Sequence, residues 1–289
     1  TESLRLYYDA WIAKGSPINN LDNVMNGYSL LYLCEKTQEE KYNKVAHKLY
    51  EYVCEYKKEM SNTLPYRKHH FRHIYVDAVG MIVPFLCRYG AKFENKEAIE
   101  MGVEYLLDYL KNGMDDATGL PYHGYDLETK VKYGIVGWGR AVGWLMLGMA
   151  DSLEYLPAGE EKEKLERALQ KLINVCADYI REDGSYSWQL TAMEGPKDTS
   201  AMAMIGYAMQ KALEIKAVKQ KKTDSELKES PEGEYEGLLI KIKTSLLSSY
   251  KDGKIYDCSG ECEGFSQYPQ VYGAYPWSLG PAVRLLIKE

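Results

Sequence analysis

The sequence predicts an all-α protein built as an α/α toroid, in which outer and inner helices alternate around a ring. Three observations predict it. Apolar residues recur at three- and four-residue spacing through most of the 289 residues, and strand-like alternation never lasts beyond a few positions. Helices with one charged face alternate with helices that are apolar and glycine-rich nearly all round. Breaker clusters such as Gly15-Ser-Pro, Asn62-Thr-Leu-Pro, Asp116-Ala-Thr-Gly, Asp183-Gly-Ser and Lys251-Asp-Gly separate them.

In chain order, residues 4–13 and 23–35 form the first outer and inner pair. Residues 41–58 carry Lys and Glu on one face and read as outer, and 76–89 are apolar nearly all round and read as inner. The alternation repeats in 96–110 and 140–156, in 162–180 and 199–215, and in 235–250 and 281–288. That makes five pairs, where a closed α/α barrel of the commonest kind has six. Either the ring is open or an N-terminal hairpin lies outside this chain. Residues 216–234 are polar and densely charged and read as a solvated connector. No linker divides the chain, so residues 1–289 are expected to form one domain. Long loops precede the inner helices near Asp77, Arg140, Asp198 and Pro281, and long loops on one rim of a rigid scaffold usually carry function.

Composition excludes several function classes. The net charge is −6 and Lys and Arg form no stripe, which argues against nucleic acid as a partner. No apolar run approaches the roughly 18 residues that span a bilayer, so no membrane role is expected. Of the six cysteines, 34, 54, 87 and 176 lie in apolar helical runs, where a thiol behaves as a small hydrophobe. Cys258 and Cys262 flank Ser-Gly-Glu without a second pair or a His at zinc spacing, so a loop thiol pair is expected and no metal or cofactor. Nothing suggests a disulfide framework, which favours a reducing, cytoplasmic location. Aromatic usage is lopsided, with 26 Tyr and 5 Trp against 4 Phe. A ring with a polar handle suits a sugar cleft, although ordinary cores use it too.

Three segments carry candidate chemistry: Tyr75-Val-Asp77-Ala-Val-Gly-Met, Pro121-Tyr-His123-Gly-Tyr-Asp126 and Trp138-Gly-Arg140-Ala-Val-Gly-Trp144. Asp77 stands at the mouth of an apolar helix, where an aspartate commonly caps the free amides. Arg140 stands at the same place on the next inner helix, with Trp144 one turn deeper on the same face. An arginine there can grip a carboxylate while the indole stacks on a sugar ring, or it can pair with a structural acid. Asp22 holds the corresponding position before Asn23-Val-Met-Asn-Gly-Tyr. Capping alone does not explain this set, because caps do not call for Arg at an N-terminus.

The chain resembles the unsaturated rhamnogalacturonyl hydrolases and, more distantly, the unsaturated glucuronyl hydrolases. The resemblance rests on Trp138-Gly-Arg140-Ala-Val-Gly-Trp144 running into Gly148-Met-Ala-Asp151-Ser-Leu, on the Asp77 and His123 segments, and on Asp198-Thr-Ser-Ala-Met-Ala-Met. It implies Asp77 as general acid and then base, with Asp22 as a second active-site aspartate. It also implies His123 facing the sugar ring, and Arg140 and Trp144 touching substrate. Tyr75 stands where the family commonly has a Trp, two residues before the acid, and is expected to contact the sugar. The cluster Arg67-Lys-His69-His70-Phe-Arg72-His73 just upstream departs from the pattern.

The implied substrate is an oligosaccharide whose non-reducing end is a C4–C5 unsaturated uronate. Protonated Asp77 would give its proton to C4 and then take one from the water that attacks C5, and the hemiketal so formed would open and release the neighbouring sugar. Arg140, Arg67, Lys68 or Arg72 could meet the substrate carboxylate. Two other readings remain open: a glycosidase using Asp22 and Asp77 as its two carboxylates, and a non-catalytic carbohydrate-binding relative.

Overall fold

A computed structural model describes residues 2–60, 63–217 and 233–287. The ten expected helical stretches form α1 (Glu2–Ala13), α2 (Asn26–Thr37), α3 (Glu40–Met60), α4 (Val76–Phe93) and α5 (Lys96–Asn112), then α6 (Gly139–Leu153), α7 (Glu160–Asp178), α8 (Thr199–Glu214), α9 (Glu234–Ser248) and α10 (Pro276–Leu286). The fold is an α/α toroid. The even-numbered helices form the inner ring and pack in chain order, α2 on α4, α4 on α6, α6 on α8 and α8 on α10. Outside them, α3 lies on α2, α5 on α4, α7 on α6 and α9 on α8. Most of the expected connector at 216–234 lies outside the described residues.

Burial explains why the two kinds of helix differ in sequence. In α4, 13 of 18 residues are buried, because neighbours cover it on nearly every side. In α7 only 5 of 19 are, namely Leu165, Leu169, Leu172, Ile173 and Cys176, which make a single stripe at helical spacing. Each apolar side chain removed from water contributes about 1.5–3 kcal/mol, so an inner helix has no room for the Lys and Glu that α7 carries. Sharp starts come from caps. Asn95 accepts from the Ala98 amide at the start of α5, and Asp198 accepts from the Ser200 amide at the start of α8.

Two boundaries differ from the periodic reading. A 3₁₀ turn over Leu21–Met25 precedes α2, so the α-helix begins at Asn26 rather than at residue 23, and Asp22 lies within that turn. Helix α10 begins at Pro276 and continues through Pro281, the residue at which the periodicity starts this helix. Pro276 sits where a missing amide is harmless, and Pro281 removes a single hydrogen bond close to the N-terminal end.

Short strands lie within the long loops. β1 (His73–Tyr75), β2 (Gly124–Asp126) and β3 (Lys132–Tyr133) form an antiparallel sheet in that order. β4 (Tyr250–Lys251) pairs with β5 (Lys254–Ile255), and β6 (Cys258–Ser259) with β7 (Tyr272–Gly273). Strands of two or three residues cannot display alternation, which is why these segments read as loops. Among the described residues, no helix is long and apolar enough to cross a membrane.

Candidate active site

The pairing of β1 with β2 sets the centre of the site. β1 runs directly into α4, and Tyr75 lies opposite Gly124 in the antiparallel register. The Val76 amide donates to the His123 carbonyl at 3.1 Å, so the residues flanking this pair are held side by side. Asp77 follows within the first turn of α4 and His123 immediately precedes β2, which brings Asp77 Oδ2 to 3.0 Å from His123 Nε2. Asp77 is therefore not a helix cap. No side chain caps α4, and the carboxylate turns to the imidazole instead. A Cβ on Gly124 would lie 2.2 Å from the Ile74 carbonyl oxygen and 2.6 Å from the Phe265 ring, so only glycine allows both approaches.

Rings enclose this pair. His123 is 1% exposed, with Trp138 at 4.5 Å between ring centroids. Tyr75 stacks on Phe265 at 4.0 Å and 14°, and both rings stand edge-on to His123. The space in front of Asp77 is a cavity of about 340 Å³ at the N-terminal mouth of the inner helices. Asp77, His123, Tyr75, Arg140 and Trp144 all line it, and so do Tyr66, Arg67 and His70 from the loop before β1. Glu261, Cys262 and Gly264 close its far side. Burial, with the nearby Asp77 carboxylate, pushes the Tyr75 hydroxyl up to about 12, so it stays protonated as a neutral contact. A larger space of about 590 Å³ lies beyond Met81, Trp144 and Trp277, which border both cavities.

Asp22 reaches this mouth through Arg67. The two form a two-point ion pair, Nη1 to Oδ1 at 3.2 Å and Nη2 to Oδ2 at 3.0 Å. The Arg67 guanidinium also lies 3.8 Å from the centre of the Tyr66 ring. Elsewhere in the basic segment, Arg72 is held by Asp126 at 2.8 Å and Glu128 at 3.2 Å, and His70 stacks on His73.

Arg140 differs from the expected carboxylate clamp. Its side chain lines the cavity one turn above Trp144, but it is 4% exposed and lies between the Trp138 and Trp277 rings. Nη1 donates to the Ser259 carbonyl at 2.7 Å and to Ser259 Oγ at 2.6 Å, and Nη2 donates to the Gly260 carbonyl at 2.6 Å. The planar fork thus grips main chain. Ser259 Oγ in turn donates to the buried Asp198 at 2.6 Å, so one hydroxyl bridges a buried cation and a buried anion. Charges removed from water need such compensation, and here it fixes the C-terminal loop to α6 and α8.

That loop supplies residues the sequence did not single out. Tyr268 Oη lies 2.8 Å from His123 Nδ1, 145 positions away in the chain. Tyr66, Trp277, Glu261 and Phe265 were likewise not singled out, and Trp138 was quoted within its motif without a role. Their only signal is membership of, or proximity to, the long loops before inner helices. Cys258 and Cys262 are free thiols, as are the other four cysteines. Among the described residues, no three His, Cys, Asp or Glu converge as a metal set.

Comparison with known proteins places the chain. Residues 1–271 match the family model for Glycosyl Hydrolase Family 88. The unsaturated rhamnogalacturonyl hydrolase YesR of Bacillus subtilis is 26% identical over 156 residues, which is 52% of this chain and 45% of YesR. The matched stretches span about half of the curated relatives, 45% of YesR and 62% of protein Atu3128 of Agrobacterium fabrum, to which this chain is 30% identical over 148 residues, 47% of its length. Among solved structures, a possible member of the GH105 family from Klebsiella pneumoniae superposes with a TM-score of 0.84 at 20% identity, covering 99% of this chain and 74% of that one. An unsaturated glucuronyl hydrolase from Bacillus sp. GL1 superposes with a TM-score of 0.71 at 16% identity, covering 98% and 78%. The chain therefore belongs to glycosyl hydrolase family 88.

Proposed function

We propose that this protein removes a C4–C5 unsaturated uronate from the non-reducing end of an oligosaccharide, by hydrating the double bond. The carrying observation is the Asp77–His123 contact at 3.0 Å, at the wall of an aromatic cavity of monosaccharide scale. A relative that acts on an unsaturated uronide, YesR by its name, supports the substrate class.

In this reading the ring stands in the mouth cavity with Trp144 beneath it. The Asp77 O–H bond breaks and a C4–H bond forms, while the double-bond electrons move to C4 and leave C5 electron-poor beside the ring oxygen. Water adds to C5, and its proton returns to the Asp77 carboxylate. The hemiketal at C5 then opens to a ketone, and the neighbouring sugar departs. No oxidant, reductant or leaving phosphate is required. General acid–base help of this kind contributes about 10²–10⁴ in rate.

The uronate carboxylate is assigned to Arg67, with His70 beside it, because both line the mouth and the Arg67 side chain, although paired with Asp22, is 32% exposed. Arg140, by contrast, is 4% exposed with both Nη atoms on Ser259 and Gly260. Asp22 then acts by orienting Arg67. In this reading the substrate is a fragment that a polysaccharide lyase has produced, and the six free thiols are compatible with a reducing compartment such as the cytoplasm.

The test is a panel of unsaturated disaccharides made by several lyases. Turnover should abolish the unsaturated-uronate absorbance and yield a keto acid. Asp77→Asn should retain below about one hundredth of wild-type kcat with the fold intact, as expected when a general acid is lost. Release of a saturated reducing sugar with the absorbance preserved would replace this reading with the two-carboxylate glycosidase.

A further inference from the structure

We infer that Tyr268 is a positioning residue that fixes the tautomer of His123, and so determines which oxygen of Asp77 handles the proton. The first part rests on geometry alone; the consequence for Asp77 rests on the hydration reading above.

His123 is buried, and its two ring nitrogens meet different partners. Nδ1 lies 2.8 Å from Tyr268 Oη, and Nε2 lies 3.0 Å from Asp77 Oδ2. A neutral imidazole has one N–H and one acceptor nitrogen, so one of these contacts must run inward and the other outward. The tyrosine decides the direction. Its oxygen already receives the Ile135 amide at 3.4 Å, and its own hydrogen needs an acceptor. Among the described residues, His123 Nδ1 is the acceptor within reach. A hydrogen on Nδ1 would leave the phenol hydrogen facing another donor. Tyr268 therefore donates to Nδ1, the ring proton sits on Nε2, and Nε2 donates to Asp77 Oδ2.

The consequence is chemical. An oxygen that accepts from Nε2–H cannot also carry a proton along that line, so the acidic proton of Asp77 belongs on Oδ1. When Oδ1 gives that proton to C4, the carboxylate left behind is already hydrogen-bonded at Oδ2. The donor need not reorganise as the charge develops.

The fold makes room for this contact in one specific way. Gly134 has φ +79°, and a Cβ there would lie 2.5 Å from Tyr268 Oη and 2.6 Å from His123 Cβ. The loop that carries Tyr268 is in turn anchored by the Arg140 fork on Ser259 and Gly260.

The experiment reads the imidazole nitrogens directly, in the full chain labelled with ¹⁵N-histidine. His123 is identified by the signals lost in His123→Gln. In the wild type, long-range ¹H–¹⁵N spectra should show Nε2 protonated and Nδ1 of the bare, acceptor type. Tyr268→Phe, which keeps the ring, should move both nitrogens toward a mixture of tautomers. Gly134→Ala should do the same by displacing the hydroxyl. With an unsaturated disaccharide, Tyr268→Phe should lower kcat roughly tenfold with KM within about twofold, the scale of one hydrogen bond lost in the chemical step. A wild-type spectrum with Nδ1 protonated would overturn the assignment, as would a Tyr268→Phe spectrum identical to the wild type. If no unsaturated uronide is turned over, the hydration reading fails while the nitrogen spectra still decide the tautomer.

Discussion

One wall of the cavity is carried by helices and the other by a loop. Asp77 and Trp144 project from α4 and α6, whose own side chains are nearly all buried against neighbouring helices. Glu261, Cys262 and Gly264 come from the segment between β6 and β7, whose Phe265 and Tyr268 pack behind the cavity on Tyr75 and His123. That segment has no apolar core of its own. The helical wall is placed by continuous apolar packing, which tolerates no shift without opening voids. The loop wall is placed by a few polar ties: the Arg140 fork, the Ser259–Asp198 bridge, the Trp277 Nε1 donation to Ser259 at 3.0 Å, and the Phe265–Tyr75 stack. The difference teaches that Arg140 belongs to both walls. It grows from the helix and holds the loop.

Changing that residue should separate the walls most sharply. Arg140→Lys keeps the charge but cannot span two carbonyls. Charge-assisted hydrogen bonds contribute about 1.5–3 kcal/mol each, so kcat/KM should fall at least about tenfold. Backbone amides at 258–273 should exchange faster with solvent while those of α4 and α6 keep their protection. Unchanged exchange at 258–273 would mean that the loop is held by something other than the fork.

A smaller effect is expected when the loop wall loses one ring. Phe265→Ala removes a stacked partner of Tyr75, and such pairs contribute about 0.5–1.5 kcal/mol beyond the area they bury. KM should rise by roughly 2- to 12-fold, the same energy read as affinity, with kcat nearly constant. The Asp77–His123 contact stands on the β1–β2 register and should survive. A fall in kcat equal to the rise in KM would show that the two walls are not independent.

The smallest effect measures how closely the walls face each other. Burial first, and the Asp77 carboxylate second, push the Cys262 thiol up to about 12, so little thiolate exists at neutral pH. Asp77→Asn removes the carboxylate and lets the thiol ionise more readily. At pH 8–9, alkylation of Cys262 should therefore be slow in the wild type and severalfold faster in Asp77→Asn, followed by mass spectrometry of the peptide. Equal rates would place Cys262 outside the field of Asp77.

The sequence by itself determined the ring. The ten helical stretches, their alternation between outer and inner, and the shared position of Asp22, Asp77 and Arg140 before inner helices follow from three- and four-residue periodicity and from charge distribution. These are local properties, because a helix records in its own residues which faces will be covered. His123, in a loop, was legible only through the family resemblance. The tertiary structure decided what each polar group at the mouth is bonded to. Asp77 had the sequence context of a helix cap but faces His123, because a three-residue strand pairing too short to leave any alternation brings β2 beside β1. Arg140 had the context of a carboxylate clamp but binds a loop 119 residues further along the chain. Asp22 had the context of a mouth residue but is paired with Arg67 across 45 positions. A hydrogen bond depends on the distance and direction between two groups, and neither is encoded in the residues beside either one.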